Sequence, residues 1–270
     1  MKLAALQLST LPMSEAKLDY YFRICEKKAV ELILISEYAL NSFFKELEVM
    51  PRLMIKEQTN HKIKILKSLC KKYNLSVVAP IVLLKNSKLI KSVAKFTPSS
   101  VRYYHQQILI NYKHWNEQKF FDNPVEPYEI QTFVIEKTRF AIMSGFEAHF
   151  DIAWMDAMQK NVDVVLMPSS STFDSALRWQ EMLKTRAFLN SMYILRANRV
   201  GNYNDDEIDW RFYGHSKLVN PNGEIELSLG HKEEILLCDI DKQSVVNAKK
   251  LWGWKKTINR LQETNHRKNS

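Results

Sequence analysis

The sequence predicts an α/β fold in which two mixed β-sheets pack face to face and carry helices on their outer surfaces. Short apolar runs rich in Val, Ile and Leu alternate with stretches of helical periodicity in both halves of the chain. Adjacent strands in each half are joined by turn signals, Pro98-Ser99 in the first and Asn220-Pro221-Asn222-Gly223 in the second. No Gly/Pro/Ser-rich linker divides the chain, which favours one domain over two.

Residues 2–9 read as a first strand, and Ser14 is a candidate N-cap for an amphipathic helix reaching about Ala29. Leu32 to Ile35 form an apolar strand that runs into Ser36-Glu37-Tyr38, so a carboxylate follows a buried strand directly. A helix over Asn60 to Tyr73 precedes a strand over Leu75 to Leu84, interrupted by Pro80. Lys88 to Phe96 and Ser100 to Ile110 make a meander, after which come Lys113, His114, Trp115, Asn116 and Glu117. Glu129 to Ile135 is a strand, and Arg139 to Asp151 is an apolar run broken at Ser144-Gly145. A helix over Ile152 to Lys160, a strand over Val162 to Met167 and a polar strand-end loop from Pro168 follow. In the next helix, Trp179 to Asn190, the residues Trp179, Leu183, Ala187 and Asn190 share a face. A strand over Tyr193 to Ala197, a polar loop over Tyr203 to Asp209, a hairpin of His215 to Val219 with Glu224 to Leu229, and a strand over Glu234 to Ile240 complete the pattern. Asp241 opens a short helix, and residues 251–270 read as a basic tail, disordered or docked on a partner subunit.

Composition narrows the class. The apolar and charged shares, 46% and 26%, are those of a globular protein. No apolar run is long enough to span a bilayer and no cleavage pattern follows the N-terminus, so the expected location is the cytoplasm, without membrane contact. The net charge of +9 is spread among acidic residues and joins no nucleic-acid-binding motif, which argues against a nucleic-acid partner. Cys25, Cys70 and Cys238 are far apart and lack metal-ligand spacing, so they read as buried hydrophobes, with no metal site expected. Six glycines build no phosphate-binding loop, and no cofactor is expected. Their scarcity singles out Gly145, the first glycine in the chain.

Leu183 to Gly201 (LKTRAFLNSMYILRANRVG) and Tyr213 to Gly223 (YGHSKLVNPNG) resemble, in order and separation, two signature segments of the carbon-nitrogen hydrolase (nitrilase) superfamily, and the likeness runs from Met1 to about Lys250. The resemblance implies a four-layer αββα sandwich over residues 1–250 and a homodimer or higher homo-oligomer. It also implies hydrolysis of small amides, carbamoyl compounds or nitriles by a Glu-Lys-Cys triad. Glu37 in ILISEYAL matches the family glutamate, and Lys113 in INYKHWNEQKFF matches the lysine. Glu117, Phe146, Glu147 and Ser170 are the residues expected to contact substrate.

The nucleophile is the departure. Laid without a gap on the family strand, Gly145 falls on the cysteine and Ser144 on the residue before it. Alternate strand residues face opposite ways, so Ser144 replaces the thiol only if the register slips by one. Removing the attacking atom removes the covalent route. Two readings stand: a hydrolase that has lost its cysteine, or a non-catalytic descendant that binds a small amide, an acid or a partner protein. Retention of Glu37 and Lys113 argues that the pocket still has a use, because a buried ion pair is costly to desolvate.

Overall fold

In the computed structural model, residues 1–205, 207–252, 254, 256, 257 and 260 are described. One sheet has the order β16-β1-β2-β3-β4-β5. It comprises β1 (Lys2–Gln7), β2 (Leu32–Ile35), β3 (Ser76–Lys85), β4 (Lys88–Phe96), β5 (Val101–His105) and the late strand β16 (Glu234–Asp239). After a two-residue-per-strand hairpin, β6 (Asn111–Tyr112) and β7 (Trp115–Asn116), the chain builds the second sheet, ordered β15-β14-β11-β10-β9-β8. Its members are β8 (Gln131–Ile135), β9 (Thr138–Ile142), β10 (Val164–Ser169), β11 (Tyr193–Asn198), β14 (Lys217–Val219) and β15 (Ile225–Ser228). A separate hairpin pairs β12 (Val200–Asn204) with β13 (Asp209–Tyr213).

The central strands β1, β2 and β3 run parallel, as do β9, β10 and β11. Strands buried on both faces need continuous apolar sequence. Alternate side chains therefore serve two different cores: Leu3, Leu34 and Val78 meet Phe140, Leu166 and Leu195 between the sheets, while Ala4, Ile33 and Val77 face the helices outside. Those helices are α1 (Ala16–Lys27) and α3 (Arg52–Tyr73) on the first sheet. On the second they are α5 (Asp151–Gln159) and α6 (Ala176–Asn190). The result is the expected αββα order. Two short helices, α2 (Phe44–Val49) and α4 (Glu117–Phe120), lie near the strand ends, and α7 (Lys242–Trp252) follows β16.

Helix α1 buries Leu18, Tyr21, Phe22 and Cys25, the i, i+3, i+4, i+7 stripe of an amphipathic helix. The face read from α6, Trp179-Leu183-Ala187-Asn190, is its buried face. Several expectations need correction. Helix α3 begins eight residues before Asn60; exposed Leu53 and Met54 in its first turn obscure the periodicity. Pro80 does not interrupt β3, because β2 pairs with β3 only as far as Val78 and leaves that edge without a ladder partner. The residues read as a polar loop, Tyr203 to Asp209, contribute to the β12-β13 hairpin. Helix α1 starts at Ala16 with Glu15 in the N-cap position, and Ser14, one residue earlier, still accepts from the Ala16 N–H through its Oγ at 3.2 Å.

Strand β5 stops at His105, short of the expected Ile110. The Glu147 carboxylate accepts from the N–H groups of Gln107 and Ile108 at 3.1 and 3.4 Å, which draws the chain out of the ladder. Among the described residues no helix is long and apolar enough to cross a membrane. Most of the expected tail, including residues 261–270, lies outside the described residues.

Candidate functional site

The carboxyl ends of β2, β9 and β10 converge where the two sheets meet. The Glu37 N–H donates to the Ser169 carbonyl at 3.3 Å, tying the end of β2 to the end of β10. Above this junction opens a cavity of about 560 Å³, whose wall includes Glu37, Gly145, Phe146, Ser170, Ser171 and Trp179. Its position at strand ends is the usual place for a ligand site in open α/β sheets.

Glu37 is the acid of this cavity and is 5% exposed. Its Oε1 pairs with Lys91 Nζ at 2.7 Å, and its Oε2 accepts from Ser170 Oγ at 2.6 Å. Lys91 also meets Glu117 Oε1 at 2.6 Å, and the ammonium stands 4.9 Å from the centre of the Tyr38 ring. Glu117 in turn accepts from Tyr38 Oη at 2.5 Å and from Trp115 Nε1 at 3.1 Å. One cation therefore serves two buried carboxylates. Burial pushes the Glu37 carboxyl up; Lys91 pulls it back, and the neighbouring Glu117 adds to the rise. Burial also opposes the charge on Lys91, but Glu117 and Glu37 outweigh it and raise its pKa. A carboxyl whose proton affinity is raised by burial and that is held in hydrogen-bond reach of a hydroxyl is placed to act as a base.

Lys113 is not part of this cluster. Lys113 and His114 form the two-residue turn between β6 and β7, and Lys113 points into solvent. The meander ends at His105, so the residue that follows it is the buried, uncharged Gln106. The cation paired with Glu37 comes instead from inside β4. Lys91 is not among the residues expected from the sequence, where the net charge reads as spread along the chain. The available signal was its setting in LIKSVA, where a lysine interrupts a strand of otherwise buried residues.

Gly145 faces the cavity, and Ser144 faces the other way, beside Glu147 in a separate small recess, so no register slip brings the Ser144 hydroxyl to the site. The backbone at Gly145 does not take a positive φ, so conformation does not demand glycine. Space does. A β-carbon built there would stand 2.8 Å from Ser169 Cβ and 3.5 Å from Trp179 Cη2.

Ser169 is itself fixed: its Oγ accepts from Arg196 Nε and donates to Asn198 Oδ1, both at 2.9 Å. Arg196 is fully buried, lies 4.5 Å from the Trp179 ring centre and donates from Nη2 to Ser171 Oγ at 2.6 Å. Burial among few counter-charges lowers its pKa.

Of the four residues expected to contact substrate, Phe146 and Ser170 line the cavity, whereas Glu117 and Glu147 do not. Glu117 lies behind Glu37 as Lys91's second partner. Glu147 accepts from the N–H groups of Gln107, Ile108 and Ser144, so its carboxylate fastens the chain on the far side of the strand end. Burial, partly offset by these bonds, raises its pKa to about 7.

The three cysteines are buried and remote from the cavity, and burial pushes each thiol up to about 12.

Comparison with known proteins agrees with this architecture. A 65-residue stretch is 45% identical to a "Hydrolase in agr operon" of Staphylococcus lugdunensis, covering 23% of this chain and 26% of that one. A 108-residue stretch is 25% identical to an omega-amidase of Saccharomyces cerevisiae, covering 40% of this chain and 36% of the relative. The matched stretches thus span about a quarter to a third of these relatives. A crystal structure of a carbon-nitrogen hydrolase from Helicobacter pylori G27 has the same fold, with a TM-score of 0.82 at 18% identity over 95% of this chain and 94% of that one. The carbon-nitrogen hydrolase family pattern matches residues 3–250, nearly the whole of both sheets and their helices, and the chain belongs to that family.

Proposed function

We propose that this protein binds a small amide, carbamoyl compound or nitrile in the cavity above Glu37, and that it performs no thiol-dependent hydrolysis. One observation carries the reading: the position matched to the nucleophile is Gly145, and the volume a side chain would need is taken by Ser169. The cavity itself is retained, with one buried acid, aromatic walls and serine hydroxyls, a lining suited to a short polar group on an apolar stem. No metal or organic cofactor enters this reading. The protein acts as a homodimer or higher homo-oligomer; exposed Ile152 and Met155 on α5 and Leu189 on α6 support association through the outer helices.

The test is a panel of propionamide, a carbamoylated amine and propionitrile, read by calorimetry and by ammonia release. Saturable binding of at least one, with any turnover indifferent to thiol alkylation, is expected. Cysteine-dependent turnover, or no binding across the panel, would overturn the reading.

A further inference from the structure

We propose that Ser170 is an acyl-accepting nucleophile in this cavity, with Glu37 as its base; the inference rests on amide binding at Glu37 as read above. Loss of the thiol leaves the site without an attacking atom at the end of β9, but not at the end of β10. Ser170 Oγ lies 2.6 Å from Glu37 Oε2, within proton-transfer reach, and both residues line the cavity. The other oxygen of Glu37 is anchored by Lys91, so the carboxylate is held in one orientation toward the serine. Ser170 is 5% exposed, so its hydroxyl is shielded from bulk water while still forming part of the cavity wall.

A donor for the developing oxyanion stands beside it. Ser171 also lines the cavity, and its Oγ accepts from the Arg196 guanidinium at 2.6 Å. No acceptor for the Ser171 proton occurs among the described residues, so that proton is available to a ligand oxygen. A buried guanidinium polarises the hydroxyl it bonds, which makes Ser171 a stronger donor than an ordinary serine.

The step balances without a further reagent. Ser170 Oγ bonds to the amide carbon as its proton passes to Glu37 Oε2. The C–N bond then breaks, and Glu37 returns the proton to the leaving nitrogen, which departs as ammonia or an amine. Water adds to the acyl-serine with Glu37 again taking a proton; the acyl–oxygen bond breaks, releasing the carboxylic acid and restoring the Ser170 hydroxyl. The rest of the charge cluster, Lys91 and Glu117, holds Glu37 in place and takes no part in bond changes.

The experiment uses the full chain with p-nitrophenyl acetate as the acylating probe, and propionamide binding as an independent readout. The expected result is a burst of nitrophenolate close to one equivalent, with a single acetyl group mapped by mass spectrometry to the peptide bearing Ser170. S170A abolishes both, and E37Q slows the burst by about a hundred-fold or more. S170A keeps the parent's circular dichroism spectrum and a cooperative urea transition, which shows that it is still folded. A burst that persists in S170A, acetylation only at other residues, or no burst from the parent protein would each overturn the Ser170 assignment. In those cases continued propionamide binding leaves the pocket reading standing, and its loss from the parent protein removes that reading too.

Discussion

A cysteine placed at residue 145 alone is expected to give no working thiol site, for want of space. In G145C the new β-carbon starts 2.8 Å from Ser169 Cβ, about 0.6 Å inside the 3.4 Å at which ordinary contact begins. Ser169 has little room to yield. Its carbonyl accepts from Glu37 N and Arg199 N, its hydroxyl is bonded to Arg196 and Asn198, and its backbone pairs with Asn198 in the sheet. Overpacking of this kind costs about 1–3 kcal/mol. G145A, which adds only the β-carbon, isolates the term. It is expected to lower stability in urea titration by that amount, with an unchanged slope. S169G removes the opposing carbon, so S169G/G145A is expected to be more stable than the two single losses predict, giving a positive coupling of about 1 kcal/mol or more. G145C within the S169G background is then the variant in which thiol-dependent ammonia release is expected. A G145A protein within about 0.5 kcal/mol of the parent, or full thiol-dependent activity in G145C alone, refutes the argument from space.

Three further expectations separate the parts of the site. K91M strands two buried carboxylates and is expected to cost about 3–5 kcal/mol in urea titration, whereas K113A, at an exposed turn, stays within about 0.5 kcal/mol; equal effects would return Lys113 to the site. Glu147, raised to about 7 from an ordinary 4.5, binds its proton more tightly folded than unfolded, so its contribution is complete below about pH 4.5 and is lost as pH rises through about 7. The size is at most about 3 kcal/mol, and E147Q is expected to flatten that part of the urea-midpoint profile while leaving propionamide affinity unchanged; a parent profile that rises over the same window contradicts the assignment. Finally, maleimide is expected to label none of Cys25, Cys70 and Cys238 in the folded protein and all three in denaturant, because each thiol is buried and pushed up to about 12; rapid labelling without denaturant would sink it.

The layers were legible because their information is local. Period-two and period-3.6 patterns report burial within a few residues, and they place β1, β2, β10, β11 and the buried face of α6. Glu37 and Gly145 were legible because each directly follows a strong strand signal. Lys113 misled because the meander's end was set five residues late: what ends β5 is a carboxylate from Glu147, about forty residues on, and no local pattern carries that. Lys91 was missed for the same reason. Its two acidic partners stand 54 residues before it and 26 residues after it, and without them a lysine in a strand looks like a surface residue.

That placement changes what retention of Glu37 means. Lys91 answers Glu37 and Glu117 together, and Tyr38 and Trp115 are committed to Glu117, so loss of Lys91 leaves two buried carboxylates without a counter-charge, whereas loss of Glu37 leaves Lys91 still paired with Glu117. The Lys91–Glu117 pair is held by its own charges and would survive the end of any chemistry at Glu37. Persistence of that pair is therefore weak evidence for catalysis. The hydroxyls are different. Ser170 to Ala would cost the fold one hydrogen bond to Glu37, and Ser171 to Ala one to Arg196, about 1–3 kcal/mol each to charged partners. A functional signal beyond stability is to be sought in Ser170 and Ser171: substitutions there that leave the fold intact, yet remove acyl transfer, separate a site that works from a charge cluster that merely holds together.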